Sequence, residues 1–358
     1  MSYIISLLIA VAVLLSGVRI FRKMNVMDKP GSDLKNTRQP VPTILGVFVY
    51  IGFLAIIGIL FPQYYSQPLF LGLVVWSFPI VLVQLLDELH YIGKIKREIS
   101  PKIRLISHVI GALLAIYVGG VGSQEILIGS RKWIMPQRAL AIFFVGRSIL
   151  CINALNRFDG IYAQASGVST VGFLTIFLLI KYIVFWYYTG FSLEQTNILI
   201  MIQNIAFALF TLSIVSTVIE FKPIALVRDV GIMFFGFSIA YLSVIWGAKI
   251  GTLLVALSLV IMDAIRVGAR RIFVMKKSPL KWDYTHLHHR LLWLGWTRPE
   301  ARAFVWIRST IMMVLILMQG INRGNKLIVF VMMAIVFFGV NYYLFVIKKL
   351  PCGLALKK

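Results

Sequence analysis

A handful of carboxylates, two asparagines and a run of histidines carry the chemistry this sequence can do. Asp87 and Glu88 directly follow the apolar stretch Val83-Gln84-Leu85-Leu86, at the exit of a membrane-length helix where water reaches them. Negative charge at a helix carboxyl end opposes the macrodipole, so the pair calls for a cation or a chemical role; a solvated helix end is the plainer alternative. Asn153, Asn156 and Asp159 recur at intervals of three ahead of Gly160. On a continuing helix they share a face, and polar groups at the end of a membrane helix are costly enough to suggest function. Gly160 then reads as the helix cap. Asp229 stands between Arg228 and Val230-Gly231 before another apolar run, where an N-cap carboxylate is the ordinary explanation. Asp263, followed by Arg266, Arg270 and Arg271, reads as a simple ion pair. In Asp283-Tyr-Thr-His286-Leu-His288-His289-Arg290, three of the five histidines fall within four residues. HxHH with no downstream His and no nearby Cys is a poor zinc template. Among Arg270, Arg271, Lys276, Lys277, Lys281 and Arg290 it fits an anion site better. Acids able to hold a divalent cation beside bases able to hold phosphates match Mg²⁺, which binds through one or two carboxylates plus substrate phosphates. The residues thus suggest phosphoryl transfer at a membrane surface.

The elements that must position these groups are membrane helices. Of 358 residues, 59% are hydrophobic and 14% charged, against roughly 25% charged in a soluble domain. The mean hydropathy is +0.89, which excludes a soluble globular enzyme. Continuous apolar runs without alternation exclude a barrel. Eleven runs are readable, near 3–21, 42–61, 69–86, 105–120, 138–155, 165–188, 197–219, 230–245, 250–265, 304–320 and 326–347. They predict an all-α polytopic bundle, one integral membrane domain over 1–358 with a cytoplasmic basic, histidine-bearing loop at 266–303. The first run lacks a basic region before it and a cleavage site after it, and reads as a retained helix. A net charge of +23 would suggest nucleic acid in a soluble protein, but here the basic residues lie between apolar runs. Over alternate loops Lys and Arg divide twenty-six against six, which predicts an inner-membrane protein with its amino terminus outside and its carboxyl terminus in the cytoplasm. Eleven of thirteen carboxylates and all five histidines then fall on or near the cytoplasmic face. On the other face, the alternation around Ile126, Ile128, Gly129-Ser130 and Trp133 predicts a small hairpin within 121–137. Two cysteines, Cys151 and Cys352, make no disulfide framework or CxxC motif.

The order of motifs resembles the polyprenyl-phosphate N-acetylhexosamine-1-phosphate transferases, the group of WecA, TagO and the more distant MraY, from Asp28-Lys29-Pro30 to Gly295. The resemblance implies transfer of a sugar 1-phosphate from a UDP-sugar to an undecaprenyl-type phosphate on the cytoplasmic leaflet, with release of UMP, as the first step of a lipid-linked envelope glycan. It implies Mg²⁺, with Mn²⁺ as an alternative, and a homodimer as a further candidate assembly. Asp87 and Glu88 fall where the family has an Asp-Asp pair acting on the lipid phosphate, and Lys94 and Lys102 where basic residues are expected. Asn153, Asn156 and Asp159 match its Asn-x-x-Asn-x-x-Asp-Gly element, and Asp229 the acid that binds the metal. Arg270 and Arg271, with His286, His288 and His289, resemble the WecA side and imply binding of the diphosphate or sugar. The chain departs from the pattern at Glu88 (Asp in the family), Arg228 (Gly), Ile232 (Ser) and His108 (Gln). It also lacks a second Asp-Gly after Gly160 and keeps only Gly46 of a Gly pair. These departures define the alternative of a catalytically altered or inactive scaffold; a transporter of an anionic solute is the other, although the sequence has no convincing internal repeat.

Overall fold

A long apolar stretch in lipid can satisfy its backbone only internally, and the chain does so as helices. The computed structural model describes residues 1–28, 39–119, 125–128, 131–134, 136–184, 192–245, 257–278, 285–318 and 323–343. Its helices are α1 (Ser2–Lys23), α2 (Gly46–Leu60), α3 (Pro68–Tyr91), α4 (Pro101–Tyr117), α5 (Gln137–Arg157), α6 (Gln164–Leu178), α7 (Leu193–Phe221), α8 (Arg228–Val244), α9 (Ser258–Ala269), α10 (Leu287–Trp293), α11 (Arg298–Met318) and α12 (Arg323–Tyr342). The starts follow local chemistry: Pro68 and Pro101 sit at first-turn positions where a missing N–H costs nothing. Ser192 and Gln195 close a capping box at α7.

Six of the described helices (α1, α3, α5, α6 with its following turn, α7 and α11) are long and apolar enough to cross a bilayer; α2 is shorter but equally apolar. Ile4, Phe78, Ile142 and Ile307 stand exposed on a surface whose solvent is lipid. The protein is an all-α polytopic membrane protein. The expected hairpin is present as β1 (Glu125–Ile128) paired antiparallel with β2 (Arg131–Ile134).

At the centre stands α8, in which every residue from Val230 to Val244 is buried. A helix apolar on all sides is one surrounded by others, and α2, α3, α5 and α6 pack around this one. Side-chain hydrogen bonds tie neighbours together: Tyr241 Oη donates to the Leu69 carbonyl at 2.7 Å and Tyr50 Oη to that of Val74 at 2.8 Å. Such bonds supplement packing where lipid gives helices no hydrophobic reason to associate.

Each of the eleven expected runs meets a described helix. Of the ninth, residues 250–256 lie outside the described residues, and Ser258–Ala269 is helical. The tenth starts at Arg298, six residues early, because Thr297 and Glu300 cap it: Thr297 N donates to Glu300 Oε2 at 2.7 Å and Glu300 N to Thr297 Oγ1 at 3.4 Å. The loop 266–303 holds α10, too short to register as an apolar run.

Candidate active site

The acid-bearing segments meet at one end of the bundle, and the backbone explains how. Residues 41–46 thread between the end of α1 and the approach to α8. Asp28 N donates to Val41 O and Thr43 N to Val26 O, while Leu45 N donates to Leu226 O at 2.9 Å and Gly46 N to Val227 O at 3.1 Å. Glu220, at the end of α7, accepts from Val227 N and from Ser166 Oγ, each at 2.8 Å. The start of α8 is thereby fixed to α2, α6 and α7. Asp229 lies in its first turn, not at its N-cap, which is Val227; the capping explanation therefore does not apply, and the carboxylate is left to other partners.

Those partners are amides from α3 and α5. Gln84 Nε2 bridges two carboxylates, donating to Asp87 Oδ2 at 3.4 Å and Asp229 Oδ2 at 3.3 Å, and Asn156 Nδ2 donates to the same Asp229 oxygen at 3.3 Å. Asp87 also takes a charge-assisted bond from Arg104 Nη1 at 2.8 Å. Helix α3 runs on to Tyr91, so Asp87 and Glu88 occupy its last turns rather than lying beyond it. Glu88, 3% exposed, is held by Arg228 Nε at 3.2 Å. The Arg228 guanidinium stacks 4.9 Å from the Tyr91 ring centre and feels the charges of Asp229 and Asp159. Arg228 has φ +60°, a left-handed conformation that costs a side-chain-bearing residue roughly 1–2 kcal/mol. A glycine would hold that backbone without strain.

The expected shared face of Asn153, Asn156 and Asp159 is not formed. Helix α5 ends at Arg157, Asn153 Nδ2 donates to Ile149 O of its own helix at 2.8 Å, and only Asn156 reaches Asp229. Asp159 lies in the following turn, brought to the cluster through Arg228. Gly160 is not a left-handed cap, since the described glycines with positive φ are Gly93 and Gly295. It makes room for a histidine: a Cβ there would lie 2.2 Å from His288 Nε2.

Asp263, expected as an ordinary ion pair, is one, and it also builds the histidine segment. It takes Arg266 Nη2 at 2.7 Å, His286 Nδ1 at 2.7 Å and Leu287 N at 3.1 Å, anchoring the start of α10. The His286 and His288 rings lie parallel with centres 6.2 Å apart, those of His288 and His289 are tilted by 47° at 4.1 Å, and His288 meets Phe158 edge-on at 5.5 Å. The row of imidazoles therefore abuts the turn that carries Asp159. Arg271 is buried and donates through Nε to Ser278 O at 2.7 Å; Arg270 is half-buried beside it. Lys94 and Lys102 are exposed, and the base that reaches Asp87 is Arg104 instead. On α4, residue 102 lies two positions from 104, some 200° around the helix, so only one of the two can face α3.

Gln84, Arg104 and Glu220 were not singled out by sequence reasoning. Gln84 had a signal, a polar residue one turn before Asp87 inside an apolar run; Glu220 had none beyond its charge. Gln84 Oε1 and Asn156 Oδ1 are buried without a hydrogen-bond partner. Among the described residues no three His, Cys, Asp or Glu side chains cluster as a closed metal site. Two carboxylates, with two neighbouring amides whose oxygens are unpartnered, offer a cation oxygen donors only. That fits a hard cation completed by substrate phosphates.

No family model matches the chain. It is 25% identical over 306 residues to the probable undecaprenyl-phosphate N-acetylglucosaminyl 1-phosphate transferase of Bacillus subtilis (strain 168), covering 82% of this chain and 77% of that protein. It is 24% identical over 303 residues to the undecaprenyl-phosphate alpha-N-acetylglucosaminyl 1-phosphate transferase of Escherichia coli (strain K12), covering 82% and 76%. The Salmonella typhimurium (strain LT2) enzyme of the same name is 23% identical over 299 residues. The aligned share is about four fifths of this chain and three quarters of each relative, and over that length the chain is similar to proteins named undecaprenyl-phosphate N-acetylglucosaminyl 1-phosphate transferases.

Proposed function

We propose that this protein transfers N-acetylhexosamine 1-phosphate from a UDP-sugar to undecaprenyl phosphate. The transfer to a polyprenyl phosphate follows from the homologues; the nucleotide of the donor, the cation and the residue roles are our reading. The observation that carries it is the single amide of Gln84 bridging Asp87 and Asp229, which joins two distant parts of the chain at one end of the bundle.

In this reading an oxygen of the lipid phosphate attacks the sugar-bearing phosphorus of the donor, and the bond to UMP breaks. The phosphate's second pKa of about 6 leaves the nucleophile largely ionised at neutral pH, so no strong base is needed. Asp87, fixed by Arg104 and Gln84, positions rather than deprotonates. Asp229, held by two amide donors, is the residue best prepared to ligate Mg²⁺, with Asp87 beside it. When bound, that ion would offset the charge gathering on the leaving phosphate. Glu88 is committed to Arg228 and is a positioning residue in this scheme. The imidazoles of His286, His288 and His289, with Arg271, flank the turn of Asp159 and supply donors for a diphosphate or sugar hydroxyl.

The test is UMP release by purified protein supplied with undecaprenyl phosphate and a panel of UDP-N-acetylhexosamines, with Mg²⁺ or with a chelator. We expect turnover with at least one donor and its loss on chelation. Absence of turnover with every donor would overturn the assignment. Asp229→Asn should lower kcat by about 10²-fold or more, the scale of losing one preorganised charge-stabilising group. Full activity in that variant would remove Asp229 from the metal role.

A further inference from the structure

Arg228 and its partner Glu88 both depart from the family pattern, and in space the two departures form one unit. The Glu88 carboxylate accepts from Arg228 Nε at 3.2 Å and from the backbone N–H of Asp229, while Arg228 Cζ lies 4.9 Å from the centre of the Tyr91 ring. The guanidinium is therefore fixed at its inner edge and over one face. Its outer edge is not engaged: among the described residues Nη1 and Nη2 have no hydrogen-bond partner, and the side chain keeps 17% exposure. Those two nitrogens carry all but one of the N–H donors of the group, in a planar fork that matches the oxygens of a phosphate. The backbone is also committed to holding the fork there. Arg228 has φ +60°, and the residues before it are tied on both sides, since Leu226 N donates to Pro42 O, Val227 N to Glu220 Oε1, Leu45 N to Leu226 O and Gly46 N to Val227 O. Strain that the surroundings impose in this way gathers where a side chain has to be aimed. Asp229 and Asp159 are near enough to attract the guanidinium, so it belongs to the same cluster as the carboxylate best prepared for a cation and the turn that meets the histidine row.

We propose that Arg228 is a catalytic residue, donating through Nη1 and Nη2 to the phosphate that leaves with UMP. This rests on the reading of the cluster as a sugar-phosphate transfer site. As an oxygen of the lipid phosphate forms its bond to the sugar-bearing phosphorus, the bond from that phosphorus to the bridging oxygen breaks, and its electron pair stays on the phosphate of UMP. Charge appears there with no proton transferred. A guanidinium already held in place meets that charge without reorganising, which is the condition under which such donors lower a barrier most. Glu88 aims the fork and Tyr91 supports its face, so both act on the reaction through Arg228.

The test separates this role from what the ion pair adds to folding. Glu88→Gln combined with Arg228→Gly removes both charges and the strained backbone, so its Tm should return close to that of the parent. Its kcat for UMP release should nevertheless stay about 10²-fold low, with KM for undecaprenyl phosphate little changed, and free guanidinium chloride at millimolar concentration should recover part of the rate. Return of kcat together with Tm would make Arg228 a purely structural residue and overturn the proposal. Calorimetric titration of the detergent-solubilised protein with UMP gives a readout that needs no turnover. It is run with Mg²⁺ present, because Asp229 and Asp159 beside the guanidinium would repel a bare phosphate. The double variant should bind UMP about tenfold more weakly than the parent, the worth of roughly one charge-assisted hydrogen bond, and equal affinity would also overturn the proposal. If the double variant does not fold, Arg228→Lys decides: an ammonium can still pair with Glu88 but has no fork, so kcat should fall about tenfold at an unchanged Tm, and full kcat there refutes the contact. A parent that releases no UMP from any donor defeats the transfer reading, whereas an active parent beside an unimpaired double variant defeats this proposal alone.

Discussion

Arg228 concentrates two opposed effects in one side chain, and their sizes decide what its removal does. Its φ of +60° would make glycine easier on the backbone by roughly 1–2 kcal/mol. Its bond to Glu88, at 3.2 Å with side-chain exposures of 17% and 4%, is worth more, because stripping one partner from a buried pair costs about 3–5 kcal/mol before discounting for partial exposure. Arg228→Gly is therefore expected to lower the Tm of the detergent-solubilised protein rather than raise activity. Adding Glu88→Gln, which neutralises the stranded acid, should restore most of the loss. A single variant as stable as the parent would mean that the pair contributes nothing. The same position marks a limit of sequence reading. An arginine beside the proposed metal acid looks like an obstruction in one dimension, whereas in space it turns to Glu88 and Tyr91. The acids themselves were legible because charge at the end of an apolar run is rare. The choice between Lys102 and Arg104 was not, since it depends on which way α4 faces α3.

At the scale of elements, the site depends on where backbones touch. A Cβ on Gly46 would lie 2.1 Å from Gly231 N and 2.6 Å from its Cα, backbone atoms with no rotamer to yield. Gly46→Ala must therefore push α2 from the start of α8, which carries Asp229. Overpacking of this kind costs about 1–3 kcal/mol, so UMP release should fall together with Tm. Gly160→Ala meets instead the ring of His288 at 2.2 Å, a side chain that can move. There we expect a raised KM for the UDP-sugar with Tm nearly unchanged, if the histidines bind donor. An unaltered KM would separate the histidine row from substrate. Helix existence was readable from apolar length alone, and a lone glycine within it said nothing about which neighbour it admits. Gly160, read as a cap, proved to be a gap for an imidazole brought from 128 positions along the chain.

Across the whole molecule, the acid cluster sits where α3 and α5 end and α8 begins, on the side of the loops 87–104, 155–164 and 219–229. In the sequence the alternate loops that include these carry twenty-six Lys and Arg against six in the other set, and that positive-inside bias supports a cytoplasmic position, where nucleotide-linked sugars are made. Sidedness is the one property that no contact within the bundle can encode, because inverting the whole protein leaves every internal distance unchanged. It rests on charge interacting with the membrane and the insertion machinery. Single cysteines separate the two orientations. In a Cys151→Ser, Cys352→Ser background, Gln63→Cys lies in the exposed turn between α2 and α3, and Lys96→Cys lies in the exposed loop between α3 and α4. A membrane-impermeant maleimide applied to intact cells should modify position 63 at once and position 96 only after permeabilisation. The reverse pattern would place the acid cluster outside. It would then remove a cytoplasmic UDP-sugar from reach of Asp229, whatever the activity of the solubilised protein.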